Sequence, residues 1–250
     1  MNYPDEGELF LSVQKKSDTL IFFAHHFQGH KKTLRRHVEF VNELGFDAYV
    51  FNLNDNPKNH YFVPYSYISK KFGMKHALAD QIEMHFNLLT DYKTKIIYAF
   101  SNVTGCCIEF MARHFSEGKK EIIAMVCDSG PGINFVYSAF QLVEHEFKIK
   151  FLPLKALLTP VVALGWDPSL HKEIKTDLQK FPVHFPLLSI RGWKDPMISP
   201  KHIDEIFEAH KNLNWKKLAL PEAGHLNGLR DFASDYKPVV IEFLNSAANI

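Results

Sequence analysis

The sequence lacks an excess of charge of either sign. Its 250 residues contain 29 Lys and Arg against 28 Asp and Glu, a formal net charge of +1 at pH 7. A chain so nearly neutral generates no field strong enough to gather nucleic acid or an anionic membrane surface. We therefore expect no nucleic-acid partner and a small molecule as the ligand. The length and the 46 % hydrophobic content predict one large domain rather than two small ones.

Cysteine is scarce, and its spacing excludes the usual cysteine-based sites. Cys106, Cys107 and Cys127 form neither a metal-ligand spacing nor an even set for disulfides. All three lie in apolar segments, where a thiol behaves as a small hydrophobic group. This usage predicts a reducing, cytoplasmic compartment. Residues 1–8 are acidic and lack the basic start and apolar core of a secretory signal, so we expect no export by that route.

Long hydrophobic runs and phosphate-binding glycine patterns are absent as well. The longest apolar stretch, 151–166, is interrupted by Pro153, Lys155 and Pro160 and is shorter than the roughly 20 residues that a transmembrane helix needs. No Gly-x-Gly-x-x-Gly and no Gly-x-x-x-x-Gly-Lys follows the first apolar runs, which argues against a nucleotide-binding domain. We therefore predict neither a transmembrane segment nor a cofactor.

The sequence does contain short apolar runs that alternate with longer segments of helical period. This alternation predicts an α/β fold with a mostly parallel sheet and helices on both faces. The predicted strands are 9–13, 20–24, 48–53, 96–100, 122–127, 187–190 and 217–220. The predicted helices are 33–44, 74–89, 106–114, 203–210 and 239–244.

The segment 132–182 departs from the alternation. It is rich in Phe, Leu and Val, has helical period in parts and contains no clear strand. Insertions of this length inside compact domains are usually functional. A packed helical excursion without a role in binding is the alternative.

A serine stands directly after the apolar run that ends at Phe100. The sequence there is Ala99-Phe100-Ser101-Asn102-Val103, and a helical pattern follows. A tight turn between strand and helix points a serine hydroxyl into open space, where a neighbouring base can take its proton. The alternative is a serine that only caps the helix.

Two further polar residues follow predicted strands. Asp195 comes after the strand at 187–190, and His225 comes after the strand at 217–220. Because the carboxyl ends of parallel strands meet at one edge of a sheet, both are expected near Ser101. Asp128, which follows the strand at 122–127, is the alternative to Asp195, although its Ser-Gly-Pro-Gly context is also typical of a plain turn. If Asp128 has a structural role, we expect Asp128→Asn mainly to lose stability. We expect Asp195→Asn to lose turnover with the fold intact.

Histidines cluster after the strand at 20–24. His25, His26 and His30 lie close together in sequence, but no carboxylate or cysteine accompanies them. A metal site is therefore the weaker interpretation of this cluster, and we predict none.

These patterns, in this order along the chain, resemble the α/β-hydrolase superfamily over residues 9–243. The resemblance implies the α/β-hydrolase fold, with a single domain over residues 1–250 and a helical cap or lid insertion at about 132–182. It implies Ser101 as nucleophile, His225 as general base and then acid, and Asp195 as the orienting carboxylate. It also implies an oxyanion hole formed by the backbone amides of Phe27 and Asn102.

Two residues depart from the family's pattern. His26 and Val103 stand where the family has glycine, and Ala99 is an acceptable small residue at the remaining glycine position. The helix normally passes close to the strand at the position of Val103. The turn at Ser101 is therefore predicted to be wider or shifted.

The resemblance implies a serine hydrolase that cleaves a carboxylic ester or thioester through an acyl-enzyme. The apolar segment 132–182 favours a small-molecule substrate with an apolar acyl or alcohol group. The alternative is a non-catalytic protein of the same fold that binds a ligand or a partner. The sequence does not indicate an oligomeric state.

Overall fold

The computed structural model describes residues 7–55 and 64–250. The described residues form a seven-stranded sheet with the order β1-β3-β2-β4-β5-β6-β7. The strands are β1 (Glu8–Phe10), β2 (Thr19–Ala24), β3 (Asp47–Val50), β4 (Thr94–Phe100), β5 (Ile122–Asp128), β6 (Phe185–Gly192) and β7 (Leu213–Leu220). Strand β1 is antiparallel to β3, and all other neighbours are parallel. The predicted mostly parallel sheet is confirmed.

Helices connect the strands and cover both faces of the sheet. They are α1 (Arg35–Glu43), α2 (Met74–Asn87), α3 (Val103–Ser116), α4 (Phe135–His145), α5 (Leu152–Trp166), α6 (Glu173–Leu178), α7 (Pro200–Glu208), α8 (Gly228–Asp231) and α9 (Ala233–Ala248). A short 3-10 helix, Lys31–Leu34, precedes α1. Among the described residues, no helix is long and apolar enough to cross a membrane.

Side-chain alternation along the central strands divides the core into two layers. In β2, Leu20 and Phe22 pack on the side of α2 and α3, whereas Ile21 and Phe23 pack on the side of α1 and α9. Because successive side chains of a strand point to opposite faces, a strand buried on both faces needs apolar residues throughout. The continuous apolar runs in the sequence have this cause.

Element boundaries differ from the predictions at the sheet edges and in helix α9, which begins at Ala233 rather than at residue 239. Strand β1 ends at Phe10 rather than at residue 13, and β7 begins at Leu213 rather than at 217. Strand β7 pairs with β6 along its whole length, but half of its residues are exposed. An edge strand with one solvent-exposed face has a weaker apolar pattern. The sequence therefore does not predict where β7 begins. Helix α3 begins at Val103, directly after the turn, rather than at residue 106.

The segment between β5 and β6 contains helices α4, α5 and α6 and no strand among its residues, all of which are described. This agrees with the helical character predicted for 132–182. The domain range 1–250 and the cap boundaries stay a prediction. The ranges 1–6 and 56–63 within that domain lie outside the described residues, as does most of the N-terminal segment 1–8.

Candidate active site

The turn between β4 and α3 holds Ser101 in an unusual backbone conformation. Its φ is +55°, in the left-handed region that non-glycine residues rarely adopt. Ser101 N donates to Asp128 O at 2.8 Å, and Thr104 N donates to Ser101 O at 3.1 Å. These hydrogen bonds tie the turn to β5 on one side and to the start of α3 on the other. Backbone strain of this kind concentrates at functional sites, and a strained turn that exposes a serine is a known device for a nucleophile.

A glycine of the neighbouring loop makes this turn sterically possible. A Cβ atom added to Gly130 would lie 2.1 Å from Ser101 O, which is far inside van der Waals contact. In the sequence, Gly130 is recognisable only as part of a turn after Asp128. Val103 is fully buried and belongs to the apolar layer that α2 and α3 form. The predicted widening of the turn at Val103 stays a prediction.

Asp195 and His225 lie in contact at the carboxyl ends of β6 and β7. His225 Nδ1 is 2.7 Å from Asp195 Oδ2. The other oxygen, Asp195 Oδ1, accepts hydrogen bonds from Met197 N at 2.7 Å and Ile198 N at 3.0 Å. The loop backbone therefore fixes the orientation in which the Asp195 carboxylate contacts the imidazole. With Nδ1 engaged, Nε2 is the nitrogen of His225 that is left for proton transfer.

Asp128, the alternative acid, has different partners. It is buried, and it accepts hydrogen bonds from Tyr236 OH at 2.7 Å and from Ser129 Oγ at 2.9 Å. Burial raises the pKa of Asp128 to about 6, against the lowering effect of these two hydroxyls. Ser129 Oγ also accepts from Leu226 N at 3.2 Å, so the Asp128 cluster supports the loop that carries His225. Within the described residues, the carboxylate that contacts His225 is that of Asp195.

The loop after β2 is held by a histidine that hydrogen bonds to backbone on both sides. His25 Nδ1 donates to His26 O at 2.7 Å, and His25 Nε2 accepts from Leu53 N at 3.0 Å. Burial lowers the pKa of His25, which agrees with this neutral form. Gln28 has a φ of +57°, and its N donates to Asp55 Oδ2 at 2.5 Å. The sequence did not reveal this support, because Leu53 and Asp55 follow a different strand.

The same contacts bear on the metal interpretation. Both ring nitrogens of His25 are occupied by backbone groups, and His30 Nδ1 accepts from Lys32 N at 3.1 Å. His26 lines the cavity at the site, and burial lowers its pKa to about 4. Across residues 7–55 and 64–250, no group of three or more His, Cys, Asp or Glu side chains is arranged to hold a metal ion.

Two backbone amides near Ser101 are free donors. Within the described part of the chain, neither Phe27 N nor Asn102 N donates a hydrogen bond. Asn102 precedes the first residue of α3, where unpaired amides and the helix dipole favour negative charge. Both residues line the same cavity as Ser101.

The cavity has a volume of about 360 Å³. The residues of its polar end are His26, Phe27, Ser101, Asn102 and His225. The rest of its lining is mainly apolar and comes largely from the helical segment, through Phe135, Leu142, Phe147, Val161, Val162 and Trp166. Trp166 stacks on Phe135 at a centroid distance of 5.4 Å and meets Phe27 edge-on at 5.0 Å. The helical segment and the β2 loop therefore form one wall.

The structure does not join Ser101 to His225 by a hydrogen bond. Both residues line the cavity, but no partner of Ser101 Oγ is found among the described residues. Contacts of this type are often long in proteins without substrate and tighten when substrate binds. The geometry thus brings Asp195 and His225 into contact and places Ser101 in the same cavity.

A buried ionic cluster lies behind the helical segment. Lys75 Nζ is 2.7 Å from Asp167 Oδ2, and His171 Nδ1 is 3.0 Å from the same oxygen. His76 Nδ1 is 2.7 Å from Glu109 Oε2, which lies 3.8 Å from Lys75 Nζ. Burial by itself raises the pKa of Asp167, but His171 and the Lys75 ammonium outweigh it and hold that pKa well below its usual range. The sequence could not predict this cluster, because its members come from α2, α3 and the loop after α5.

Solved structures of similar shape are esterases and lipases. No protein-family profile and no curated protein sequence matches the chain. The Pyrococcus furiosus esterase Pf2001 superposes with a TM-score of 0.65 at 18 % identity, over 96 % of this chain and 89 % of the esterase. A thermostable carboxyl esterase from Bacillus coagulans gives 0.70 at 12 % identity, over 97 % and 94 %. A monoacylglycerol lipase from Paleococcus ferrophilus gives 0.62 at 13 % identity, over 96 % and 98 %. The chain has the α/β-hydrolase fold, as its sequence predicts.

Proposed function

We propose that this protein is a serine hydrolase that cleaves a carboxylic ester or thioester through an acyl-enzyme. The observation that carries the proposal is the cavity shared by Ser101, in its left-handed turn, and His225, which contacts Asp195 at 2.7 Å. The printed names of the similar structures are those of esterases and lipases, which supports the same reaction class.

In the proposed reaction, Ser101 Oγ attacks the carbonyl carbon of the ester while His225 Nε2 takes the hydroxyl proton. Asp195 keeps His225 in the required tautomer and stabilises the imidazolium that forms. His225 then gives the proton to the leaving alcohol or thiol, and the acyl group stays on Ser101. Water, deprotonated by His225, attacks this acyl-enzyme; the bond between Ser101 Oγ and the acyl carbon breaks, His225 returns the proton to Ser101 Oγ, and the acid leaves.

Negative charge develops on the former carbonyl oxygen in both steps. The free amides of Phe27 and Asn102 are the proposed donors to it. One such donor is worth about 3 kcal/mol of transition-state stabilisation. The hydrogen bonds of His25 to the backbone on both sides keep the Phe27 loop in place before substrate binds.

The substrate class follows from the cavity. A mainly apolar space of about 360 Å³ fits a small molecule with an apolar acyl or alcohol group. The cytoplasmic location predicted from the sequence is part of the proposal, and the three free, buried cysteines support it.

A non-catalytic binding protein of this fold is the second candidate. The observation that favours it is the absence of a hydrogen bond on Ser101 Oγ in the described residues. His26, which stands where the family has glycine, also lines the same end of the cavity. This candidate predicts that small apolar esters bind but are not hydrolysed.

Steady-state hydrolysis separates the two candidates. We expect the wild type to hydrolyse a chain-length series of nitrophenyl esters and acyl thioesters, and Ser101→Ala to lose this activity by at least about a thousandfold. Ser116→Ala is the matched control, because Ser116 Oγ hydrogen bonds to Ala112 O at 2.7 Å in α3 and does not line the cavity. Folded wild type with no more activity than Ser101→Ala would favour the binding protein.

A further inference from the structure

One face of α4 forms part of the apolar cavity wall. Phe135, Ser138 and Leu142 are spaced at three and four residues, so their side chains lie on the same side of the helix. Ser138 is the polar member of this row, and only 3 % of it is exposed. A hydroxyl at this place needs a partner to offset its removal from water.

Ser138 has no such partner. Its Oγ is buried and makes no hydrogen bond within the described residues. Two helical hydroxyls elsewhere in the chain bond to the carbonyl one turn earlier: Ser116 Oγ to Ala112 O at 2.7 Å and Thr159 Oγ1 to Lys155 O at 2.8 Å. Ser138 Oγ does not form this hydrogen bond to the carbonyl one turn earlier. Its hydroxyl therefore lacks a partner from the part of the protein that the structure describes, and the cavity that Ser138 lines is where a bound molecule can supply one.

A second unpaired donor lies in the same wall. The indole Nε1 of Trp166 is buried without a hydrogen bond among the described residues, and Trp166 lines the cavity while stacking on Phe135. An indole N–H donates only. The group that satisfies it must therefore be an acceptor, and a serine hydroxyl can donate to the same kind of atom.

The position of Ser138 relates this polar spot to the reacting end of the cavity. A Cβ atom added to Gly132 would lie 3.2 Å from Ser138 Oγ and 3.9 Å from Asn102 Oδ1. Gly132 N donates to the same Asn102 oxygen at 3.2 Å. Gly132 therefore lies next to both Ser138 and Asn102, and Asn102 is the residue that follows the proposed nucleophile.

We propose that Ser138 Oγ and Trp166 Nε1 form a polar subsite, and that the substrate carries an acceptor oxygen in its acyl or alcohol part that binds there. This rests on the proposed ester hydrolysis at Ser101. An ether, ketone or hydroxyl oxygen satisfies the donors, whereas a pure hydrocarbon chain leaves them unpaired. The site therefore selects oxygen-substituted chains over hydrocarbon chains of the same length, because buried polar groups left unpaired penalise the wrong substrate.

Matched pairs of esters test the subsite. In the acyl arm, nitrophenyl hexanoate is compared with esters in which one methylene beyond the α-carbon is replaced by an ether oxygen. In the alcohol arm, alkyl acetates are compared with their ether isosteres. Each kcat/KM is divided by the rate of hydroxide-catalysed hydrolysis of the same ester, which removes the inductive effect of the oxygen. We expect a preference of about tenfold for one oxygen position, and the arm that shows it assigns the subsite to the acyl or alcohol side.

Variants assign that preference to the two donors. Ser138→Ala and Trp166→Phe are each expected to lower the preference severalfold through slower turnover of the oxygen-bearing ester, with the hydrocarbon ester little changed. Ser116→Ala is the control, because it also removes a helical hydroxyl but Ser116 bonds to Ala112 O and does not line the cavity. We expect the preference to be unchanged in that variant. Equal turnover of both esters by the wild type, or a preference that survives in Ser138→Ala/Trp166→Phe, would overturn the subsite and leave the proposed hydrolase intact.

Binding gives a readout without turnover. Calorimetric titration of Ser101→Ala protein with the same ester pairs is expected to show a Kd about tenfold lower for the oxygen-bearing ester. Equal Kd values would overturn the subsite whether or not the wild type is a hydrolase. Tighter binding of the oxygen-bearing ester by a wild type that hydrolyses neither would support the subsite and refute the proposed reaction.

Discussion

Asp195 and Asp128 show how the surroundings of a carboxylate decide its role. Asp195 divides its oxygens between two loop amides and the imidazole of His225. Asp128 faces two hydroxyls, those of Tyr236 and Ser129, and is 2 % exposed. We infer that Asp195 serves the reaction and that Asp128 supports the fold beneath it.

The first prediction concerns Asp195→Asn. The asparagine Oδ1 still accepts from Met197 N and Ile198 N, so the loop keeps its conformation. Its NH2 group then faces His225 Nδ1, which forces the ring proton onto Nε2 and removes the general base. We expect kcat for ester hydrolysis to fall by about ten-thousandfold, with an unchanged circular dichroism spectrum. Near-normal turnover in a folded variant would contradict the assigned role.

The second prediction concerns the pH dependence of stability in Asp128→Asn. Burial raises the pKa of Asp128 to about 6 in the folded protein, against about 3.9 in an unfolded chain. The folded state holds this proton more tightly, so the group contributes stability below about pH 4 that is lost as the pH rises through about 6. Asparagine has no such proton, so the stability deficit of the variant should be largest near pH 4.

Urea denaturation of wild type and variant at about pH 4 and pH 7 measures this difference. We expect the deficit in the free energy of unfolding to shrink by about 1 to 3 kcal/mol between the two pH values. A deficit that grows with pH would mean that the native structure favours the ionised carboxylate. Turnover per folded molecule should stay close to that of the wild type.

Some of these residues could be predicted from the sequence, and others could not. Ser101 and Asp195 each follow a strand with a strong apolar pattern, and His225 follows the short apolar end of β7, so their positions at the sheet edge could be predicted. His25 and Gly130 act through contacts with Leu53 and Ser101 O. Those contacts join separate strands, and no local pattern in the chain encodes them.

At the scale of elements, the helical segment between β5 and β6 closes the cavity. Its helices supply Phe135, Leu142 and Trp166 to the wall, and Asp167 links the end of α5 to Lys75 of α2. Its helical content could be predicted from the apolar pattern. Its placement over Ser101 is implied only by the family resemblance and not by the apolar pattern, because the buried Lys75–Asp167 ion pair joins residues far apart in sequence.

The third prediction compares two ion pairs that link this segment to residues 71–75. Asp167→Asn leaves the fully buried Lys75 ammonium without its 2.7 Å partner, and we expect a loss of about 3 kcal/mol in the free energy of unfolding. Lys71→Met removes an exposed pair with Glu173, also at 2.7 Å, and should cost less than about 1 kcal/mol. Urea denaturation measures both values. Equal losses would show that burial of the Asp167 pair adds nothing.

At the scale of the whole molecule, the sheet order explains why distant residues share one cavity. Strands β4, β5, β6 and β7 are consecutive neighbours and run parallel, so the loops after β4, β6 and β7 emerge at the same edge. The chain order of strands and helices could be predicted from the alternation of apolar runs. The strand order reverses at β2, so that β3 and β1 lie on its other side. This reversal depends on packing between layers, which the alternation of apolar runs does not report.

Labelling with a fluorophosphonate probe tests whether Ser101 is an activated nucleophile. The probe phosphonylates a serine only when a base and an oxyanion site activate it, so it reports on Ser101, His225 and the amides of Phe27 and Asn102 together. We expect one adduct per folded molecule, located by peptide mass spectrometry at Ser101, absent in Ser101→Ala and strongly slowed in His225→Ala. Folded wild type that stays unlabelled, or that is labelled at another residue, would contradict the assignment of Ser101 as the nucleophile.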